Sequence, residues 1–140
     1  MKAQSGLDII PLTECLHLLA AQRVGRLAFV VDGQPLILPV NFALEGDIVV
    51  FRTGVGTKLE AVLNAKVAFE VDDVDVAAGS GWSVVVQGVA EEITEDLDVF
   101  AEVLRAGAAP TWVPGPADHY VRIVPRIISG RRLQGTGAPD

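Results

Sequence analysis

The hydrophobic pattern of the chain is a series of short apolar, β-branched runs separated by tight polar breaks. The first run, residues 24–31, ends at Asp32-Gly33, a dipeptide typical of two-residue β-hairpins. The next two runs, residues 36–44 and 48–53, are separated by Glu45-Gly46-Asp47. Three successive runs joined by tight turns predict an antiparallel meander.

Pro39 lies inside the second of these runs. Proline cannot donate a hydrogen bond to a β-ladder, so its position predicts a sheet edge or a bulge. We therefore expect the backbone near Pro39-Val40-Asn41 to be a place where a ligand can approach.

A fourth strand is predicted over residues 67–72, where Val67, Phe69 and Val71 alternate with small or polar residues. The acidic stretch Asp72-Asp73-Val74-Asp75 is expected to end this strand as a solvated loop. Its spacing is not that of a calcium-binding EF-hand loop, and no metal site is predicted.

The two remaining strands are predicted over residues 82–93 and 120–133. Gly88 in the first is expected to mark a bulge or a close approach, and Pro125 to interrupt the second. Residues 1–11 and 134–140 are expected to be loose termini.

Three short helices are predicted. Thr13 is expected to cap the first, whose apolar face contains Leu12, Cys15, Leu16, Leu19 and Ala20 at helical spacing. On that face Cys15 is interpreted as a core thiol. The second helix begins at Thr57-Lys58, and the third, capped by Thr94, ends at Gly107.

Six or so strands with short helices, joined mostly by hairpins, favour a mainly β protein, a closed or partly closed antiparallel barrel in a single domain over residues 1–140. The net charge of −7 argues against a nucleic-acid partner. One cysteine excludes an intrachain disulfide, and neither a membrane-spanning run nor a signal-peptide pattern is found. We expect a cytoplasmic protein without a membrane partner.

A candidate phosphate site follows the third run. Gly54-Val55-Gly56 precedes the helix that begins at Thr57-Lys58. Glycines before a helix let backbone N–H groups converge on an anion, and Thr57 and Lys58 add a hydroxyl and a charge. The spacing Thr57-x-x-Glu60 also fits a capping box that needs no ligand. Both interpretations stay open on the spacing alone.

Several segments, in order, resemble the pyridoxamine 5′-phosphate oxidase-like flavoproteins of the FMN-binding split-barrel superfamily, in particular the small actinobacterial-type members. They are Val24-Gly25-Arg26-Leu27-Ala28, Pro39-Val40-Asn41-Phe42, Phe51-Arg52-Thr53, Gly56-Thr57-Lys58-Leu59, Gly81-Trp82-Ser83-Val84 and Ile128-Ser129-Gly130-Arg131. The resemblance implies a split β-barrel that forms a homodimer, with two flavin sites between the subunits.

The resemblance also implies which residues would contact each part of the cofactor. The FMN phosphate would be held by Arg52, Thr53, Thr57 and Lys58. The isoalloxazine ring would lie along Pro39, Val40, Asn41 and Phe42, with Trp82 and Ser83 near the ring or the ribityl chain, and Trp112 closing the pocket.

The function implied is that of an FMN-dependent oxidoreductase whose small-molecule redox substrate and catalytic residues are not identified. The chain lacks the longer basic and aromatic terminal segments of true pyridoxamine phosphate oxidases, so that activity is not expected. One alternative is a reductase that uses the deazaflavin F420, although 11 lysines and arginines are few for its acidic tail. Others are a flavin or haem carrier or sensor, and a dimerising domain with an empty pocket. His17 and His119 are expected to be exposed rather than catalytic.

Overall fold

The computed structural model of the protein describes residues 7–53, 57–95, 98, 102 and 119–133, with residues 7 and 57–59 described by their backbone only. The elements, in chain order, are β1 (Leu7–Ile10), α1 (Leu12–Ala20), β2 (Val24–Val31), β3 (Gln34–Glu45), β4 (Ile48–Thr53), α2 (Thr57–Val62), β5 (Lys66–Asp75), β6 (Ser80–Ile93) and β7 (His119–Leu133). The helix predicted after Thr94 falls mainly on residues outside this set. No helix among the described residues is both long and apolar enough to cross a membrane.

Six of the strands close on themselves in the order β2-β3-β4-β7-β6-β5, and β5 pairs again with β2. All pairings are antiparallel, and β1 extends the sheet by pairing with the C-terminal end of β7. The predicted antiparallel split barrel is therefore confirmed.

The split in the barrel opens along β3. Residues 42–45 of this strand pair with β4, whereas residues 34–41 pair with β2. No described strand pairs with the other edge of residues 34–40. Pro39 lies in that half, opposite Arg26, so the predicted sheet edge at Pro39 is confirmed.

The core fills the inside of the barrel with side chains that alternate along each strand. Phe42 and Phe69 pack edge to face at its centre, with ring centroids 4.8 Å apart. Gly25 makes room for this pair, because a Cβ added there would lie 2.2 Å from Cζ of Phe69. The predicted alternation of Val67, Phe69 and Val71 is confirmed, since all three are buried.

The N-terminal region differs from the prediction. Residues 7–10 are not loose but form β1, which pairs with residues 130–133 of β7. Helix α1 is preceded by Pro11 at the N-cap, without a side-chain cap, so the predicted Thr13 cap is wrong. Leu12 is exposed rather than part of the buried face, which Cys15 and Leu19 supply.

The acidic stretch 72–75 was predicted as a loop, and this is wrong. Strand β5 continues through Asp75, because its residues pair with β6 as far as Ser80. The turn comes later, where the amide of Ala78 donates to Oδ1 of Asp75 and Gly79 adopts φ +66°. The bulge predicted at Gly88 is confirmed by a register shift between Gln87 and Gly88.

Candidate functional site

The candidate site lies where the barrel splits. Phe42 and Phe51 form the last pair of the β3–β4 ladder on this side. Asn41 and Arg52 are their immediate neighbours, so both lie on the opposite, outer face of adjacent strands. Arg52 is exposed, and the amide oxygen of Asn41 is buried. The guanidinium of Arg52 and the amide of Asn41 therefore both lie on the outer face, where β3 and β4 separate.

The backbone of β3 also turns polar groups toward the split. The amide of Phe42 donates to the carbonyl of Arg23, at 3.0 Å, on the side of β2. Because successive residues of a strand point their N–H and C=O groups to opposite edges, the groups of Pro39 and Asn41 point to the other edge. This is the edge along which residues 42–45 of β3 pair with β4.

The side chains of the Pro39-Val40-Asn41-Phe42 segment divide between the two faces. Phe42 is 1% exposed and belongs to the core, and Val40 packs against the same core. The outer face receives Pro39 and Asn41. A ligand at the split can therefore meet the side chains of these two residues, whereas the polar backbone groups of Val40 and Phe42 point to β2.

The residues predicted for a phosphate are close together in the chain at the end of β4. Thr53 is the last residue of β4, and α2 begins at Thr57 and continues with Lys58. Helix α2 has only six residues, so its dipole adds little to anion binding compared with a charged side chain. The side chains of Thr57 and Lys58 are outside the described set, so the choice between phosphate site and capping box stays open.

Trp82 and Ser83 lie on opposite faces of β6. Trp82 packs against the core, next to the buried Val84. Ser83 faces outward, opposite Asp72 on one side and Arg131 on the other. They therefore approach a ligand from different faces, and Ser83 is the one on the face of Asn41. Trp112 lies outside the described residues.

A charged cluster that the sequence does not reveal lies on the same outer face. Arg26, opposite Pro39, places Nη1 3.3 Å from both Oε1 of Glu70 and Oδ2 of Asp72. Burial, together with the hydrogen bond and charge of Asp72, raises the pKa of Glu70 to about 7. Arg26 lies opposite Pro39, and Asp72 lies opposite Ser83. The charged cluster therefore lies between Pro39 and Ser83 on the outer face.

A second polar group was missed because His119 was expected to be exposed. Its Nδ1 lies 3.0 Å from Oε2 of Glu92, and both side chains are about two-thirds buried, with 28% and 33% exposed. His119 is the cross-strand neighbour of Thr53. The sequence contains no local signal for this contact, because Glu92 and His119 meet only when β4, β7 and β6 pair.

Cys15 belongs to the core and to no site. The thiol is fully buried and donates to the carbonyl of Ile10 at 3.5 Å. Burial, and then the charge of Glu14, raise the pKa of this thiol. The predicted core role of Cys15 is confirmed by this burial, and the raised pKa disfavours the reactive thiolate.

Comparison with known proteins gives the family. The model of the family described as pyridoxamine 5′-phosphate oxidase matches residues 11–132, and the chain belongs to that family. Among its individual relatives, the uncharacterized protein Rv0080 of Mycobacterium tuberculosis is 32% identical over 93% of this chain and 89% of its own length.

Two solved structures resemble the whole barrel. The FAD-binding protein of Mycobacterium smegmatis is 42% identical, with a TM-score of 0.74 over 90% of this chain and 98% of its own. An FAD-binding protein of Mesorhizobium loti is 32% identical, with a TM-score of 0.75 over 90% of this chain and 97% of its own.

Proposed function

We propose that this protein binds a flavin at the split of its barrel and uses it as an oxidoreductase acting on a small-molecule substrate. The observation that carries the proposal is the split itself, where an open strand edge, Asn41 and Arg52 meet next to the residues that begin α2. Family membership and the two relatives described as FAD-binding support a flavin as the ligand.

The residues of the split fit the chemistry of a flavin mononucleotide. The polar edge of an isoalloxazine ring needs hydrogen-bond partners, and the backbone carbonyl of Pro39, which has no N–H, points toward the open edge of β3. The terminal phosphate needs cations and hydroxyls, for which we propose Arg52, Thr53, Thr57 and Lys58. A bound flavin supplies hydride or electron transfer, whereas these residues bind and orient it.

We further propose that the functional unit is a homodimer. The outer face of the barrel carries exposed apolar side chains, with Val30, Ile37 and Ile127 exposed by 55%, 66% and 57%. Val30 and Ile37 lie diagonally across the paired strands β2 and β3, and exposed apolar neighbours of this kind are typical of an interaction surface. A second copy of this chain would cover that face and complete the flavin site from its other side.

The binding proposal is tested through Lys58. The absorption spectrum and the melting temperature of the purified protein are measured with FMN, FAD, F420 and riboflavin, and dissociation constants follow for the ligands that stabilise it. We expect Lys58→Ala to weaken FMN binding by about 10- to 100-fold, the scale of one charge-assisted contact of about 1–3 kcal/mol. Riboflavin, which lacks the phosphate, should bind both proteins equally.

The matched control is Lys66→Ala, which removes an exposed lysine at the start of β5. It should leave FMN binding unchanged. Equal FMN affinity in Lys58→Ala and wild type would remove Lys58 from the phosphate site. A wild-type protein that binds no flavin would overturn the proposed function. Consumption of a reduced nicotinamide by the flavin-loaded protein would separate an enzyme from a flavin carrier.

A further inference from the structure

The ends of three adjacent strands bring together three polar side chains on the inner face of the barrel. Thr53 ends β4, His119 begins β7 opposite it, and Glu92 lies near the end of β6, opposite Val121. The next residues inward on the same face, Phe51, Val121 and Ala90, are buried in the core. The three polar side chains therefore lie where the core ends, on the side of the barrel from which the chain continues to α2.

We propose that His119, oriented by Glu92, is a phosphate-binding residue of the flavin site. The inference rests on the proposed function, because the phosphate in question is that of the bound flavin. His119 is the cross-strand neighbour of Thr53, one of the residues proposed to hold that phosphate.

The hydrogen bond to Glu92 determines which atom of His119 can meet an anion. Nδ1 lies 3.0 Å from Oε2 of Glu92, so Nδ1–H donates a hydrogen bond to the ionised carboxylate. The two ring nitrogens point away from each other, so Nε2 is directed away from Glu92. The buried Phe51 and Val121 close the inner side of this face. Nε2 is therefore the atom of the ring left for a ligand.

Protonation of the ring decides whether that atom attracts or repels a phosphate. On a neutral ring with its proton on Nδ1, Nε2 is an acceptor, and the charge of Glu92 is uncompensated. On a protonated ring Nε2–H is a donor, and the pair with Glu92 is neutral. Glu92 is the titratable group that faces His119 from the described parts of the flanking strands. Arg52 and Tyr120 lie on the opposite face.

The His119–Glu92 pair should therefore distinguish flavins that carry a phosphate from those that do not. Because only the protonated ring donates from Nε2, His119 should strengthen binding of FMN more at about pH 6 than at about pH 8, and it should not affect riboflavin. The phosphate of FMN also titrates near pH 6, but that ionisation is the same for every variant and cancels when variants are compared.

The experiment compares wild type with His119→Gln and Glu92→Gln, measuring dissociation constants of FMN and riboflavin at both pH values. We expect His119→Gln to weaken FMN binding about tenfold at pH 6 and by less at pH 8, with riboflavin unchanged. Glu92→Gln keeps an acceptor for Nδ1 but loses the carboxylate charge that pairs with the ring, so its FMN preference should weaken at pH 6 as well.

Glu91→Gln is the matched control. Glu91 lies on β6 next to Glu92 but on the opposite face, where it pairs with Arg122 of β7. It should behave as wild type. An equal FMN-to-riboflavin ratio in wild type and both test variants at pH 6 would make the His119–Glu92 pair purely structural, while the proposed function stands. If wild type binds neither flavin, the proposed function fails and this inference with it. Far-UV circular dichroism identifies a variant that does not fold, and the other test variant then decides.

Discussion

Replacing Gly25 with alanine tests whether the centre of the barrel is as tightly packed as the structure indicates. A Cβ at this position would lie 2.2 Å from Cζ and 2.7 Å from Cε1 of Phe69, distances that side-chain carbons do not adopt. Phe69 is fully buried, and its ring contacts Phe42 edge to face. The phenyl ring therefore has to move, and it has only other core side chains to move against.

The magnitude follows from this confinement. Adding a carbon to a well-packed core costs about 1–3 kcal/mol, because neighbouring side chains leave their preferred rotamers. Gly25 is in a strand, where alanine is at least as compatible with the backbone as glycine, so the backbone offsets little of this cost. We expect Gly25→Ala to lower the free energy of unfolding by about 2–3 kcal/mol, near the upper end of that range.

The assay is a double-mutant cycle with Phe69→Leu, followed by urea or guanidinium unfolding. Phe69→Leu alone should destabilise the protein by about 1–2 kcal/mol through the volume it removes. In the double variant the leucine vacates the space that the new methyl group needs. The two losses should then be less than additive by at least about 1 kcal/mol.

Strict additivity would refute this reasoning, because it would mean that Gly25 and Phe69 do not compete for space. A second check is Ala43→Gly, which also changes one methyl group in the barrel but on β3, away from Phe69. It should show no coupling with Phe69→Leu beyond about 0.5 kcal/mol.

Two further predictions concern the outer face. Because the pKa of Glu70 is raised to about 7 from its ordinary 4.5, the folded state holds a proton that the unfolded state releases, and stability falls as pH rises through that interval. The decline should amount to about 1 kcal/mol after solvent screening, and Glu70→Gln should abolish it in thermal melts recorded across this pH interval. Glu45→Gln, at the exposed end of β3, should preserve the decline. Ile37→Asp should give monomers and weaken flavin binding if the outer face forms the dimer, whereas Val76→Asp, at a position 88% exposed, should do neither. Light scattering that finds wild type monomeric would contradict the dimer.

Local patterns were sufficient wherever a few neighbouring residues determine the conformation. The hairpin at Asp32-Gly33 was predictable because both residues adopt positive φ, 50° and 78°, as the two-residue turn requires. The bulge at Gly88 was predictable because a glycine inside a strand often marks a position where another part of the backbone comes too close for a side chain. A side chain there would collide with the backbone of Val124, with the added Cβ 2.1 Å from its carbonyl oxygen.

Local patterns failed where a distant strand supplies the stabilisation. Strand β1 has four residues, and it exists because β7 provides hydrogen bonds to it from the other end of the chain. The acidic end of β5 is a strand for the same reason, since β6 pairs with it throughout. Neither partner can be recognised from composition, and the solvated loop was the reasonable expectation for a run of aspartates.

The candidate site was predictable in part. The proximity of Arg52, Thr53 and Lys58 follows from the sequence, and the resemblance to a family adds the expected cofactor. The division of β3 between two faces does not follow, because residues 36–44 are apolar on both faces and show no clear alternation. The pairs Arg26–Glu70 and His119–Glu92 join strands 44 and 27 residues apart, so only the folded barrel brings them together.

The prolines of β3 explain how an open strand edge can be kept for a ligand. An unpaired edge is a template for aggregation, and proteins commonly block it with residues that cannot donate. Pro35 and Pro39 have the same parity as Asn41, so their missing N–H groups belong to the open edge, whereas Phe42 donates toward β2. Two donors are thereby removed along the edge, whereas the carbonyls of both prolines and the N–H of Ile37 stay on it. The property that led to Pro39 being predicted at a sheet edge therefore also reduces the donors that another strand could pair with, while acceptors remain for a ligand.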